Sequence, residues 1–191
     1  TDSIPKPMVE ISGRPILWHI LSALSQAGVE EAAVIVGYMG GKIRDYFGDG
    51  GEVGLPLRYF EQKVQDGTGR AAEPAKEFLR DGPFFLTFGD ILTDAGAYRA
   101  MAEAFSSRPT DLLLAVRHVD EPSRFGVVEL EGDRITNIVE KPAPGTEPSN
   151  LVNAGILIAR PALFEYTARL EPSERGKYEL PDAFRMMMDD G

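Results

Sequence analysis

The sequence has no cysteine, only two histidines and a single tryptophan among its 191 residues. Without cysteine the chain cannot form a disulfide, a thiolate metal site or a cysteine nucleophile, and two histidines leave little for a zinc site. Any metal should therefore be a hard cation held by oxygen ligands. No run reaches the roughly 18 apolar residues of a membrane-spanning helix, and the N-terminus does not show the pattern of a secretory signal. We expect a soluble, cytoplasmic protein with no membrane partner.

Positive charge is also scarce in this sequence. Acidic residues outnumber basic ones by 30 to 20, which gives a formal net charge of −10 that is not concentrated in any one block. This balance argues against a nucleic-acid groove as the binding surface. The overall field of the protein also repels substrates that carry phosphate groups. A site for such substrates must therefore supply its own local cations or a divalent metal ion.

The length and the 43% hydrophobic content predict a single domain of the α/β class. Residues 15–27 place apolar side chains on one helical face, and residues 32–37 form the short β-branched run that is typical of a buried strand. Because this alternation continues, we expect a mixed sheet that is mostly parallel, with an antiparallel hairpin over residues 125–139. The other predicted helices cover residues 42–47, 70–79, 98–105 and 180–188, with one more starting at Pro161, and the other predicted strands cover residues 57–61, 84–88, 111–116 and 152–159.

Two charged residues in the first half of the chain stand in positions that suit phosphate chemistry. Lys6 lies between Pro5 and Pro7, which hold the backbone extended and limit the directions in which the lysine can point. Asp90 follows an apolar strand, and ligands of open α/β sheets bind beyond the carboxyl ends of the strands. A carboxylate at such an end is well placed to hold Mg²⁺. The alternative for Asp90 is a turn-forming or capping role.

A polar loop at residues 62–69 separates a predicted strand from a predicted helix. It contains Gln62, Gly67 and Thr68. Glycine lets backbone amides approach a ligand closely, and a glutamine side chain can read the edge of a base. The loop is a candidate nucleotide-binding segment, although a Gly-Thr-Gly turn that opens a helix is common without any ligand.

The second half of the chain contains candidate groups for binding a sugar phosphate. Gly126 begins one strand of the predicted hairpin, and Glu140 and Lys141 end the other. A lysine ammonium can neutralise a phosphate, and the adjacent carboxylate can accept hydrogen bonds from hydroxyls. Asn153 lies in a later strand, and Arg175 opens the late segment Arg-Gly-x-x-Glu, where it could bind a phosphate. Each also has an ordinary structural alternative: a solvated strand end, a strand amide bonded to backbone, or a solvated arginine.

Taken in their order along the chain, these six groups of residues resemble the motifs of the sugar-1-phosphate nucleotidyltransferase family, and the resemblance covers nearly the whole chain. The resemblance implies a three-layer α/β/α, Rossmann-like fold and a reaction that forms an NDP-sugar and pyrophosphate from an NTP and a hexose 1-phosphate, in the first place glucose 1-phosphate. It also implies Mg²⁺ as the cofactor. The implied roles are catalysis for Lys6, Asp90 and Lys141, metal binding for Asp90, nucleotide binding for Gln62, Gly67 and Thr68, and sugar-phosphate binding for Gly126, Glu140, Lys141, Asn153 and Arg175.

Two segments that the family normally has are not found in these 191 residues. One is an N-terminal strand with a glycine-rich loop that wraps the triphosphate, and the other is a second metal-binding aspartate behind a late tryptophan. The single tryptophan here is Trp18, in the first predicted helix. Either the 191 residues are a piece of a longer protein, or the protein does not carry out the full reaction. We favour the first explanation, in which these residues by themselves could be inactive.

Two other functions compete with catalysis of this kind. A regulatory or assembly subunit of the same fold would bind a nucleotide-sugar without making it. A glycosyltransferase would use a nucleotide-sugar as donor, but its Asp-x-Asp metal motif does not occur after the apolar strands. Specificity is open among cytidylyl, thymidylyl and uridylyl transfer to glucose 1-phosphate, with GTP and mannose 1-phosphate as a further alternative. The apolar helix at residues 180–188 leaves a homo-oligomer open.

Overall fold

The computed structural model describes residues 4–190 and shows a mixed α/β fold, which confirms the predicted fold class. The helices are α1 (Ile16–Gln26), α2 (Gly40–Phe47), α3 (Ala95–Ser106), α4 (Leu163–Thr167) and α5 (Leu180–Asp190). The strands are β1 (Glu10–Ile11), β2 (Arg14–Pro15), β3 (Ala32–Val36), β4 (Leu57–Glu61), β5 (Phe84–Thr87), β6 (Leu112–His118), β7 (Gly126–Glu131), β8 (Arg134–Glu140) and β9 (Leu151–Ala159). Over the described range, every helix is too short or too polar to cross a bilayer.

Helix α1 shows how the apolar pattern of the sequence produces local structure. It begins after Pro15 and ends just before Gly28, whose φ of 94° is a conformation that glycine adopts at little cost. Its buried face consists of Leu17, Ile20, Leu21, Ala23 and Leu24. Because these residues are spaced three or four apart, they lie on one side of the helix. That side packs with α2, β3 and β4 into one apolar core, while α4 and α5 pack on β7, β8 and β9 in a second core.

Strand β9 changes its neighbour along one edge, and this change opens the sheet. Strand β6 pairs with β9 in antiparallel fashion along one edge. On the other edge, β5 pairs with residues 156–159, and β7 pairs with β9 at Val152. Strand β6 pairs with the same residues of β9 as β5 and β7 do, at 157–159 and at Val152. Since each strand has two edges, β5 and β7 must both lie on the edge of β9 that β6 does not occupy. Between the two partners, residues 153–155 lie at a fork in the sheet.

A second opening lies between β3 and β5. Within residues 4–190, β3 pairs only with β4, and β5 pairs only with β9. An apolar slot of about 650 Å³ is lined by residues 32–35 of β3, residues 84–87 of β5 and the buried side of α1. Consecutive residues line the slot on both sides. If one face of a strand lined the slot, only every second residue would contribute, because side chains alternate between the two faces. The slot is therefore bordered by the edges of the two strands.

Strand direction departs from the sequence-based expectation. Among the described pairs, only β3 and β4 are parallel, and the pairs that join β5, β6, β7, β8 and β9 are all antiparallel. Within residues 4–190, the parallel pair of β3 and β4 and the antiparallel sheet of β5 to β9 are separate sheets, so the single, mostly parallel mixed sheet that the sequence predicts is not observed there. The cause is β9, which runs against β5, β6 and β7 and separates β5 from β6.

The predicted helix over residues 70–79 is wrong. This segment forms successive turns and a short 3₁₀ stretch at Glu73–Ala75. Pro74 has no N–H to donate to a carbonyl four residues earlier, so it disfavours a regular helix at this point. The chain uses bonds over three residues instead, such as the one from Lys76 N–H to Glu73 O at 3.1 Å.

Candidate functional site

A cleft of about 380 Å³ opens at the fork where β9 exchanges β5 for β7. Seven of the ten predicted site residues line this cleft, namely Gly67, Thr68, Gly126, Glu140, Lys141, Asn153 and Arg175. The slot between β3 and β5 is larger, but its charged lining residues are the acidic Glu30, Glu31 and Asp81, which repel phosphate. The cleft is therefore the candidate site, because polar and charged groups of both signs converge there.

Four charged side chains form a compact group in the cleft. Lys141 Nζ lies 3.9 Å from Glu140 Oε1, and Arg175 Nη1 lies 3.8 Å from the same oxygen. Arg175 Nη1 also lies 3.3 Å from Glu179 Oε1. Burial raises the pKa of the Glu140 carboxyl, and the negative charge of Glu179 raises it further, while Lys141 and Arg175 lower it. Two half-exposed cations thus stand over one partly buried carboxylate, Glu140, and one buried carboxylate, Glu179, and a phosphate can reach these cations.

The backbone of Lys141 is held in an uncommon conformation. Its φ is 46°, in the left-handed region that residues with a side chain rarely adopt. Its N–H donates to Phe125 O at 2.9 Å, which ties the end of β8 to the start of β7. Strain of this kind, on the order of 1 kcal/mol, persists only where the surrounding structure enforces it, and it is often found at functional sites.

Asn153 and Gly155 shape the fork itself. Asn153 Oδ1 accepts a hydrogen bond from Gly155 N–H at 2.7 Å. The oxygen of this asparagine is therefore bonded to the backbone, which is the structural role that was the alternative to ligand binding. Gly155 has a φ of 80°, and a Cβ there would lie 2.9 Å from Phe88 and 3.0 Å from Ile91. The pairing of β6 with β9 shifts register beside these residues, as in a β-bulge. Within residues 4–190, the Asn153 NH₂ group donates no hydrogen bond, which leaves it available to a ligand.

The polar loop at residues 62–69, which the sequence predicts to bind the nucleotide, is attached to the segment that precedes α5. Tyr178 N–H donates to Asp66 O at 2.9 Å, and Gly69 N–H donates to Tyr178 O at 2.8 Å. The Arg70 guanidinium carbon lies 3.5 Å from the centre of the Tyr178 ring. These contacts join the predicted nucleotide-binding loop to the segment that carries Arg175.

The three residues predicted to bind the nucleotide all make contacts within the protein. Gln62 lies outside the cleft lining, and its Nε2 donates to Gly67 O at 3.3 Å. Thr68 Oγ1 accepts from Leu180 N–H at 3.2 Å. Gly67 has a φ of 138°, and a Cβ on it would lie 2.2 Å from Tyr178 O. The glycine is therefore required by the close approach of Tyr178, whether or not a nucleotide is bound.

Replacing Gly67 by alanine should destabilise the protein by about 2 to 4 kcal/mol, because the new methyl group collides with the Tyr178 backbone and the φ is unfavourable. Gly132→Ala is the matched control, since Gly132 has a φ of 65° but no atom lies within 4 Å of the place that its Cβ would occupy. The control should cost about 1 to 2 kcal/mol for the conformation alone. Urea unfolding of both variants measures the difference. Equal losses would show that Tyr178 does not restrict residue 67.

Lys6 and Asp90 both lie outside the cleft lining, but their neighbours in the sequence, Pro7 and Gly89, lie close together. Lys6 starts a short 3₁₀ turn, and Asp90 follows the end of β5. Pro7 packs against Gly89 so tightly that a Cβ on Gly89 would lie 2.9 Å from Pro7 Cγ. The residues next to Lys6 and Asp90 are therefore in contact, which brings these two predicted catalytic residues to the same end of β5.

Asp90 is also adjacent to the cleft. Phe88 and Ile91, on either side of it in the sequence, line the cleft and contact Gly155. Phe88 N–H donates to Gly155 O at 3.3 Å, which fixes the loop after β5 to the fork. Asp90 thus lies between the Lys6 segment and the cleft that contains Lys141.

Comparison with known proteins places this geometry in a family. A family model described as Nucleotidyl transferase matches residues 1–191. The chain belongs to the nucleotidyl transferase family. Its resemblance to the sugar-1-phosphate nucleotidyltransferases is thereby confirmed, since its curated relatives include proteins with that activity in their names.

Two relatives and one solved structure show how far the similarity of this nucleotidyl transferase extends. It is 37% identical over 192 residues to the bifunctional protein GlmU of Methanococcus maripaludis, covering 100% of this chain and 44% of GlmU. It is 34% identical over 194 residues to the UTP–glucose-1-phosphate uridylyltransferase AglF of Haloferax volcanii, covering 100% of this chain and 78% of AglF. A crystal structure of UDP-glucose pyrophosphorylase with UDP-glucose has a TM-score of 0.89 at 23% identity, covering 100% of this chain and 81% of that one, which confirms the fold alone. The chain spans about half the length of the first curated relatives that it matches.

The nucleotidyl transferase offers one carboxylate, Asp90, for the Mg²⁺ that the resemblance implies. Residues 4–190 contain no group of three or more His, Cys, Asp or Glu side chains that could hold a metal ion by themselves. Mg²⁺ usually keeps several waters and binds through one or two carboxylates together with substrate phosphates. The exposed carboxylate at the end of β5 therefore fits an Mg²⁺ ion that is shared with a phosphate substrate.

Sequence analysis did not assign a role to four charged residues that line the cleft: Arg117, Arg124, Lys177 and Glu179. Arg117 lies near the end of β6, and its guanidinium carbon is 5.2 Å from the centre of the Phe125 ring. A charged residue that ends an apolar strand is the signal that singled out Asp90, so the same signal could have found Arg117. Lys177 Nζ donates to Gln65 O at 2.8 Å, a contact between distant segments that no local pattern indicates.

Proposed function

We propose that this nucleotidyl transferase joins an NTP to a hexose 1-phosphate, with glucose 1-phosphate as the first candidate, and releases pyrophosphate. The observation that carries the proposal is the convergence of Lys141 and Arg175 on one carboxylate, Glu140, in the cleft. A protein with a net charge of −10 needs such local cations to receive a phosphate. The name of its relative AglF, which specifies UTP and glucose 1-phosphate, supports the substrate class.

Different cleft residues bind different parts of the sugar 1-phosphate. Lys141 and Arg175 bind the phosphate group, since both are cations with exposed ends. Glu140 accepts hydrogen bonds from sugar hydroxyls, and the Asn153 NH₂ group donates to another hydroxyl. Gly126 leaves room for the Glu140 carboxylate, because a Cβ on residue 126 would lie 3.1 Å from Glu140 Oε2.

The reaction is a single in-line displacement. A phosphate oxygen of the sugar 1-phosphate attacks the α-phosphorus of the NTP, the new P–O bond forms, and the bond to the pyrophosphate oxygen breaks on the opposite side. No covalent enzyme intermediate and no general base are required. Positioning and neutralisation of charge supply the rate enhancement. Residues 62–69 hold the nucleotide, and Lys6 stabilises the charge that develops on the α-phosphate. Asp90 would hold Mg²⁺, which would supply further neutralisation of phosphate charge.

We also propose that one further strand fills the slot between β3 and β5 and joins the two sheets to which they belong. Both bordering strand edges have unpaired backbone groups facing an apolar opening, and such edges favour the addition of a strand. The family resemblance implies a strand that leads into a glycine-rich triphosphate loop. A strand in this slot would deliver that loop near Lys6 and Asp90. A crystal structure of the protein as its gene encodes it tests this, and an empty slot in that structure would contradict it.

The activity is tested by measuring pyrophosphate release from the protein as its gene encodes it. UTP, dTTP, CTP, ATP and GTP are each combined with glucose, mannose or N-acetylglucosamine 1-phosphate in the presence of Mg²⁺. We expect release with one preferred NTP and glucose 1-phosphate. Calorimetric binding of a nucleotide-sugar without pyrophosphate release from any pair would instead support a non-catalytic subunit. The cytoplasmic location, the single catalytic domain over these residues and self-association through α5 stay predictions.

A further inference from the structure

Glu179 is a buried charge that the proposed reaction does not itself require. It is 7% exposed, and it and Thr167 are the buried polar or charged residues of the described chain. Its Oε1 atom makes no hydrogen bond, although it lies 3.3 Å from Arg175 Nη1. Burying a carboxylate costs free energy unless a partner offsets the lost hydration. The ion pair with Arg175 is the interaction that offsets this cost.

Within this ion pair, Glu179 is the fixed member. The backbone before it is bonded to the polar loop at residues 62–69 through Tyr178, and the backbone after it is bonded to Thr68 through Leu180 N–H. Its own carbonyl accepts from Asp182 N–H at 3.1 Å in the first turn of α5. The side chain of Arg175 is 49% exposed. The buried carboxylate of Glu179 therefore determines the position of the more exposed Arg175 guanidinium.

We propose that Glu179 is a positioning residue that holds the Arg175 guanidinium at the edge of the cleft, where Arg175 and Lys141 together receive the phosphate of the sugar 1-phosphate. Without Glu179, the remaining acidic partner of Arg175 is Glu140, 3.8 Å away. Arg175 would then pair with Glu140 and occupy the carboxylate that binds the sugar hydroxyls. This inference rests on the proposed function, and it adds a residue that does not itself touch the substrate.

Glu179 also acts on Glu140 through its charge. Burial raises the pKa of Glu140, Glu179 and Asp182 raise it further, and Lys141 and Arg175 lower it. Glu179→Gln removes a like charge and frees Arg175 for Glu140, and both changes lower the pKa of Glu140. Because Glu140 binds hydroxyls as a carboxylate, sugar-phosphate binding weakens as the pH falls through its pKa. In the variant, this weakening should begin at a lower pH. The other charged residues that line the cleft, Arg117, Arg124 and Lys177, are the same in both proteins.

The test compares wild type with Glu179→Gln, which keeps the shape of the side chain, and Glu179→Asp, which keeps the charge but shortens its reach. Steady-state pyrophosphate release is measured with the full protein at several pH values. For Glu179→Gln at neutral pH we expect KM for the sugar 1-phosphate to rise at least about tenfold, as for a lost charged contact, while KM for the NTP changes less than about twofold. Glu77→Gln is the matched control, because Glu77 forms an exposed ion pair with Arg80 away from the cleft.

The outcomes separate this inference from the proposed function. If wild type is active but Glu179→Gln has the same KM for the sugar 1-phosphate and the same rise in this KM at acidic pH, then Glu179 has only a structural role. That result overturns the inference. A loss of thermal stability without a change in KM leads to the same conclusion. If wild type releases no pyrophosphate with any substrate pair, the proposed function fails, and the role assigned to Glu179 fails with it. The inference is supported if KM for the sugar 1-phosphate rises while KM for the NTP does not, and if the rise in this KM at acidic pH begins at a lower pH than in wild type.

Discussion

Replacement of Lys6 by alanine is expected to lower kcat for pyrophosphate release about 10²- to 10³-fold, which corresponds to roughly 2 to 4 kcal/mol of transition-state stabilisation. In the proposed reaction, the ammonium of Lys6 stands beside the charge that develops on the α-phosphate. The fold should survive, because Lys6 is exposed and the 3₁₀ turn that it starts is held by backbone bonds such as Met8 N–H to Pro5 O at 2.8 Å. Circular dichroism and thermal unfolding verify that the variant remains folded.

The kinetics of this variant also distinguish between two roles for Lys6. Lys76→Ala removes the same charge from a position outside the cleft, and it should leave kcat within about twofold if only local charge matters. A rise in KM for the NTP with unchanged kcat would mean that Lys6 binds the ground state and transition state equally. Near-normal kcat and KM would remove Lys6 from the mechanism.

The elements that the sequence predicts well are those with a strong local signal. The hairpin of β7 and β8 follows from two apolar strands around Gly132, which adopts a φ of 65° in the turn. Helix α1 follows from its apolar face and the glycine after it. Strand direction follows from the position of β9 in the sheet, which depends on residues far apart in the sequence. Local patterns therefore predict the elements better than they predict their pairing.

The candidate site shows the same division between local and distant information. Charged residues at strand ends, such as Glu140 and Lys141, can be picked out from the sequence. The group that they form with Arg175 and Glu179 cannot, because it depends on contacts such as the one between Thr68 and Leu180, which are 112 positions apart. Sequence analysis therefore places seven of its ten predicted site residues in the cleft lining, but it does not indicate which lining residues interact with one another.

Replacement of Asp90 by asparagine should raise the Mg²⁺ concentration required for half-maximal activity at least about tenfold, because a charged ligand of a hard cation becomes a neutral one. Asp90 is the carboxylate at the end of β5 that the described residues offer for this role, and no cluster of acidic residues there can replace it. The experiment titrates pyrophosphate release with Mg²⁺ at saturating NTP and sugar 1-phosphate. Adding excess Mg²⁺ should restore part of the lost activity, which loss of the fold would not allow.

Asp94 supplies the control for this titration. It lies four residues after Asp90 and caps α3 by accepting a hydrogen bond from Ala97 N–H at 2.9 Å. Asparagine caps a helix about as well as aspartate, so Asp94→Asn should change neither the stability nor the Mg²⁺ dependence by much. If Asp90→Asn behaves like Asp94→Asn, then Asp90 also has a structural role, and Mg²⁺ must be held by the substrates or by residues outside the described range. If only Asp90→Asn shifts the titration, the metal contact lies at the end of β5, between Lys6 and the cleft.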